Sequence, residues 1–96
     1  MSSVQSRLLA RLVLDTINCL QVASRQASPA AVVALRSTIS CLQRADMTDV
    51  AHSIAMLRDV VGQLRTVEQM FELQRLPLTA RKVRGVRERV EHIAGP

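Results

Sequence analysis

Residues 50–77, "VAHSIAMLRDVVGQLRTVEQMFELQRLP", decide the fold. Val50, Ile54, Leu57, Val61 and Leu64 recur at spacings of 4 and 3, and Phe71 falls on the same line seven residues beyond Leu64. That is the period of a helix with one buried stripe, not the alternation of a strand. Met56, Val60, Val67 and Met70 form a second apolar row beside the first. Glu68 interrupts the line and marks where the packing arrangement changes. Unbroken from residue 48 to 76, such a helix is about 40 Å long. The helix before it is shorter, so the far end needs a further partner. Pro77 ends it, because the residue before a proline is pushed out of helical geometry.

Upstream, "ASPAAVVALRSTISCLQR" (27–44) opens a helix cleanly. Ser28 can accept an early backbone N–H as N-cap, and Pro29 suits the first helical position. Val32, Leu35, Ile39 and Leu42 make a single seam. The linker "ADMTD" (45–49) offers Thr48 or Asp46 as the cap of the long helix. Before all this, Arg7, Arg11, Asp15, Asn18, Gln21 and Arg25 are spaced 4, 4, 3, 3 and 4, one narrow polar stripe on a helix of residues 3–25. The rest of its circumference is apolar, so it must be covered on more than one side.

Downstream of Pro77, Thr79 reads as an N-cap, with Leu78 and Val83 placed as a hydrophobic staple. Val83, Val86, Val90 and Ile93 form an apolar edge among Arg81, Lys82, Arg84, Arg87 and Arg89. Gly85 and the valines lower intrinsic helicity, so this segment is expected to order against something else. The expected fold is all-α. Residues 1–76 form a three-helix antiparallel bundle (helices 3–25, 29–44 and 48–76, the third longest). Residues 77–96 form a basic C-terminal amphipathic helix.

Ninety-six residues suffice for one aliphatic core, and the only aromatic is Phe71. The net charge is +5, and residues 75–96 hold six basic and two acidic side chains. Such a tail suits an acidic protein surface, nucleic acid or an anionic membrane. No apolar run reaches the length of a membrane span. Arg11 and Asp15 interrupt any secretory signal, while Ser, Arg7, Arg11 and Arg25 give residues 1–27 some character of a mitochondrial presequence. The wide apolar surface of that segment favours a structural helix. Cys19 and Cys41 lack metal-ligand spacing and read as small buried hydrophobes in a reducing compartment.

No catalytic constellation emerges: there is no glycine-rich phosphate loop and no nucleophile–base pair at a suggestive spacing. No catalytic residue, cofactor or metal is expected, and Glu72 can pair with Arg75 on the helix surface. His52 lies opposite the apolar line, and "AHSI" with Gly62 resembles a fragment of the histidine phosphotransfer signature. The lysine and glycine three and four residues after that histidine are here Ala55 and Met56, and Met would obstruct a response regulator. A nucleic-acid role finds phosphate-neutralising arginines but no aromatic platform and no row of base-reading side chains.

Surplus apolar helix surface is the strongest signal, and it points to a non-catalytic adaptor or accessory subunit. Leu8, Leu12, Met56, Val60, Val67, Met70 and Phe71 are its expected apolar docking residues. Arg7 and Arg11, with Arg81, Lys82, Arg84, Arg87 and Arg89, are expected to face an acidic partner. Basic nucleic-acid-associated protein is the second reading and a phosphorelay domain the third.

Leu9, Ala10, Arg11 and Leu14 stand where the LYR-motif family opens its first helix with Leu-Tyr-Arg and, after two intervening residues, another leucine. "ADMTDVAHSI" (45–54), with Asp49 and Ile54, is similar to that family's turn into its long third helix. Over residues 4–70 the chain thus resembles these small mitochondrial helical accessory and assembly proteins. Ala10 replaces the tyrosine, and Cys41 or Leu42 stands where the family has a phenylalanine. The resemblance implies a mitochondrial location, otherwise a cytoplasmic one, and an acidic acyl carrier protein as partner. It implies contacts from Arg11, with Arg7 and Arg44.

Overall fold

A computed structural model describes residues 2–45 and 49–95, with side chains from Val4 onward. Four helices succeed one another: α1 (Ser2–Ser24), α2 (Pro29–Gln43), α3 (Val50–Leu73) and α4 (Pro77–Ala94). No strand occurs among the described residues. Each helix packs on the next, and α4 returns to lie along α1 as well as α3. The ring closes into an elongated body of 43 × 21 × 18 Å. The α3–α4 pairing is antiparallel, because partners run in opposite order: Arg58 reaches Ala94, Arg65 reaches Glu91, and Glu72 reaches Arg84.

The expected division at residue 77 is therefore corrected. A single core cluster joins Leu9, Leu20 and Leu35 to Leu57, Leu64 and Phe71, and also to Val83, Val86 and Val90 of α4. Segment 77–96 has low helix propensity, but burying those valines against the rest of the bundle stabilises it by roughly 1.5–3 kcal/mol per side chain. Tertiary packing overrides propensity. α3 spans 24 residues against 23 for α1, so it is the longest helix by one residue only.

Local signals explain most boundaries. Ser28 caps α2, its hydroxyl accepting from Ala31 N at 3.3 Å, and Pro29 begins the helix. Ser28→Ala is expected to cost about 1 kcal/mol, lowering Tm by roughly 4–8 °C in a thermal CD melt. α3 is capped by Asp49, whose carboxylate accepts from His52 N at 3.0 Å; the alternatives Asp46 and Thr48 lie outside the described residues.

α3 stops at Leu73, before Pro77 acts. Leu76 N donates to Phe71 O and Arg75 N to Glu72 O, both at 3.0 Å, with Arg75 at φ 61°. This is a Schellman closure in which arginine occupies the left-handed position that glycine usually takes. α4 then starts at Pro77. Thr79 is not its cap but lies in its first turn, donating to Gln26 Oε1 of the α1–α2 linker at 2.7 Å. Nor is Leu78 a staple, being 69% exposed. Proline's fixed φ suits the first helical position and moves the cap three residues upstream, from Thr79 to Leu76.

Candidate functional site

α4 has two flanks with different chemistry. The flank toward α3 carries an ion-pair network centred on Glu68, which is 7% exposed. Its carboxylate accepts from Arg84 Nε at 2.6 Å and from Arg87 Nε at 2.9 Å. Arg84 also donates to Glu72 at 2.9 Å, while Arg87 and Arg65 both donate to Glu91 Oε1, at 2.7 and 2.9 Å. Burial pushes the Glu68 carboxyl up, but hydrogen bonds and charge from Arg84 and Arg87 outweigh it and hold the group below the usual glutamate range. Hydrogen bonds from Arg65 and Arg87 lower Glu91 likewise. Both guanidiniums are pushed up in turn, Arg84 and Arg87 chiefly by their bonds to Glu68. Each of the three arginines here has a carboxylate acceptor within the chain, so the network fastens α4 to α3.

The flank toward α1 is open. A groove of about 860 Å³ lies between Asn18, Cys19, Val22 and Ala23 on one side and Leu78, Lys82, Gly85, Val86 and Arg89 on the other, with Arg75 and Leu76 at its end. A second hollow of about 490 Å³ continues toward the other end, between Leu8, Leu12 and Ile93. Gly85 and Arg89 line both, so the two hollows adjoin along α4 and are treated together as one channel. Eight large hydrophobic side chains are exposed among the described residues, and four of them, Leu8, Val22, Leu78 and Ile93, line this channel. A concentration of that kind is a docking signature, whereas scattered exposed hydrophobics are ordinary.

Charge is uneven along the channel. Arg75, Lys82 and Arg89 line the larger part, and no carboxylate lines it with them. Arg11, Asp15, Glu88 and Arg89 line the smaller part, where Asp15 sits 3.7 Å from Arg11 and 3.9 Å from Arg89. The Cys19 thiol forms part of the wall, donating to Lys82 O at 3.8 Å. Burial pushes its pKa up against the opposing pull of Arg89 and Lys82, so it stays a neutral thiol and a poor nucleophile.

No family model, curated protein or solved structure matches this chain. The chemistry of the groove itself is what bears on function.

The structure brings together Leu8, Arg11, Lys82 and Arg89 of the sequence-expected docking residues, and corrects others. Val60, Val67 and Phe71 are 0% exposed and Leu12 is 8% exposed. These side chains fill the chain's own core, because a helix in a closed four-helix ring buries both of its apolar rows. Met56 and Met70 are half-buried. Arg84 and Arg87 are corrected too, since Glu68 holds them. Arg7, Arg44 and Arg81 are exposed but do not line the channel; Arg44 Nε donates to Ser40 O at 3.2 Å. Of the motif positions, Leu9 is buried, while Arg11 and Leu14 are exposed.

Sequence reasoning missed Arg75, Val22, Leu78 and Ile93. Arg75 was paired with Glu72, and the others were assigned to helix interiors or staples. His52 is exposed in the first turn of α3 and does not line the channel. Among the described residues, no three His, Cys, Asp or Glu side chains gather as a metal site requires, and no helix is long and apolar enough to cross a membrane.

Proposed function

We propose that this chain is a non-catalytic helical adaptor or accessory subunit that docks an acidic protein along the α1–α4 face. One observation carries this reading: half of the exposed large hydrophobics among the described residues line two adjoining hollows, and the charged residues lining the wider one are all cations. Apolar burial supplies affinity, and the cations supply orientation and on-rate. An acyl carrier protein in mitochondria is the instance that the LYR-motif resemblance implies. α1 serves here as a core-forming helix, since Leu9, Val13, Leu20 and Ala23 are all buried. A nucleic-acid role would instead require salt-sensitive binding lost on neutralising Arg81, Lys82 and Arg84 together, yet Arg84 is already committed to Glu68 and Glu72.

The test is native purification of the tagged full chain beside a Leu8→Ser, Val22→Ser, Leu78→Ser triple variant. Their far-UV CD should match, because the three side chains are exposed. The adaptor reading expects an acidic protein to co-elute at fixed stoichiometry with the parent, and at least tenfold less of it with the triple variant. The proposal fails if the parent elutes alone as a stable monomer, or if the variant retains the partner undiminished.

A further inference from the structure

Gly85 is the feature of the channel that folding does not explain. It lies mid-way along α4, on the floor shared by both hollows, and has ordinary helical geometry. A Cβ built on it meets nothing within 4 Å. No turn, positive φ or close interhelical contact calls for glycine, yet glycine inside a helix is unfavourable relative to alanine. Gly62 of α3 has the same open space without lining either hollow, so what sets Gly85 apart is its place where the two hollows meet. Arg75 is a second anomaly of the same kind: a bulky cation held at φ 61°, where glycine would be unstrained, on the lip of the same channel.

We infer that the α1–α4 channel takes one amphipathic helix from a partner protein. That helix crosses over Gly85 and lays its carboxylates at the Arg75–Lys82 end. This deepens the adaptor reading and rests on it. A straight channel between two antiparallel helices accepts a third helix in the way helices pack generally, with axes about 8–10 Å apart. An absent side chain at the crossing point permits the near edge of that range. The apolar anchors stand in two pairs, Val22 with Leu78 in the larger hollow and Leu8 with Ile93 in the smaller, roughly 21 Å apart along α1 at the usual helical rise, a span that a helix of about 14 residues covers. Charge fixes polarity: cations stand without carboxylates at one end, and Asp15 and Glu88 balance Arg11 and Arg89 at the other.

Other occupants fit less well. A second copy would bring the same basic channel and a net charge of +5 against this one, and juxtaposed like charges oppose association. A single fatty acid has one carboxylate, whereas the cations are spread from Arg75 to Arg89. Single-stranded nucleic acid needs a row of aromatic stacking platforms, and the channel offers no Phe, Tyr or Trp and only the one ring of His92.

The experiment titrates the full chain into a fluorescein-labelled helical peptide of about 18 residues and reads anisotropy. Leucines form the peptide's ridge, and glutamates are confined to one half; a second peptide has lysines in place of the glutamates. The acidic peptide is expected to bind at least tenfold more tightly than the lysine peptide. A Lys82→Glu, Arg89→Glu double variant should lose at least tenfold for the acidic peptide and gain for the lysine one. Gly85→Ala and then Gly85→Gln should weaken binding progressively while thermal stability rises, Gly85→Ala by roughly 5 °C in Tm. A structural role for Gly85 could not move binding and stability in opposite directions.

Equal binding of the two peptides overturns the inference, as does Gly85→Gln binding like the parent. So does tighter binding of oligonucleotide or oleate, or a dimer in sedimentation that excludes the peptide. If the native partner co-elutes with the Gly85→Gln and double variants as with the parent, the channel inference falls while the adaptor reading stands.

Discussion

Phe71→Ala is expected to cost about 3–5 kcal/mol, the largest loss from any single side chain here. Phe71 is the only aromatic residue and is 0% exposed. Truncating it removes the most voluminous core side chain and leaves a cavity among Leu, Val and Ala neighbours that have no bulk to spare. A domain of this size has a total stability of about 5–14 kcal/mol, so the variant should be partly unfolded near its former working temperature. Position compounds the effect. The Phe71 carbonyl accepts Leu76 N in the turn that reverses the chain from α3 into α4, and Leu76 packs on the same core. Loosening that corner also frees Arg75 at the channel's end. Urea titration followed by CD gives the stability change, and Phe71→Leu should recover all but about 1.5 kcal/mol. A loss for alanine no greater than that of Phe71→Leu would mean that this corner is not where the bundle is pinned.

The elements of the bundle were legible where a local rule forces them. Ser28-Pro29 starts α2 because a hydroxyl cap and a proline each suit one position only. The line through Leu57, Val61 and Leu64 is buried as its spacing requires. What stayed illegible depends on how helices meet. Val60 and Val67 were read as a docking row because one seam suffices for a helix with one neighbour. In the closed ring α3 packs on α2 and α4, and both rows are needed inside. Glu68 was recognised as a break in packing, but its partners stand 16 and 19 residues away, outside the reach of the i, i+3 spacing that paired Glu72 with Arg75. The channel is harder still to read. It depends on how α1 and α4 sit side by side with Val22 and Leu78 left exposed, and no period in the sequence encodes that. Gly85 was visible as a weak point of its helix, and its use became visible only when the space above it did.

Glu68→Gln should cost about 2–3 kcal/mol at neutral pH, and the cost should vanish in acid. The amide keeps the shape and can still accept one hydrogen bond. It leaves Arg87, 15% exposed at its side chain, with Glu91 as its one remaining carboxylate partner, which Arg65 shares. A half-buried arginine that loses one of two compensating charges is destabilising. The sign of the pH dependence follows from the direction of the shift. Arg84 and Arg87 hold the Glu68 carboxyl below the usual range against the upward push of burial. The folded state therefore binds its proton later than the unfolded chain does. The stability this confers is fully present above the ordinary glutamate range, and drains away as pH falls from about 5 through the lower folded value. Glu91, lowered by Arg65 and Arg87, adds to the same slope in both proteins. Urea midpoints of parent and Glu68→Gln measured between pH 7 and pH 3 should converge as the medium becomes acid. A gap that stays constant over that range would show that Glu68 is not ionised in the fold, and the fastening of α4 to α3 would then have to come from valine packing alone.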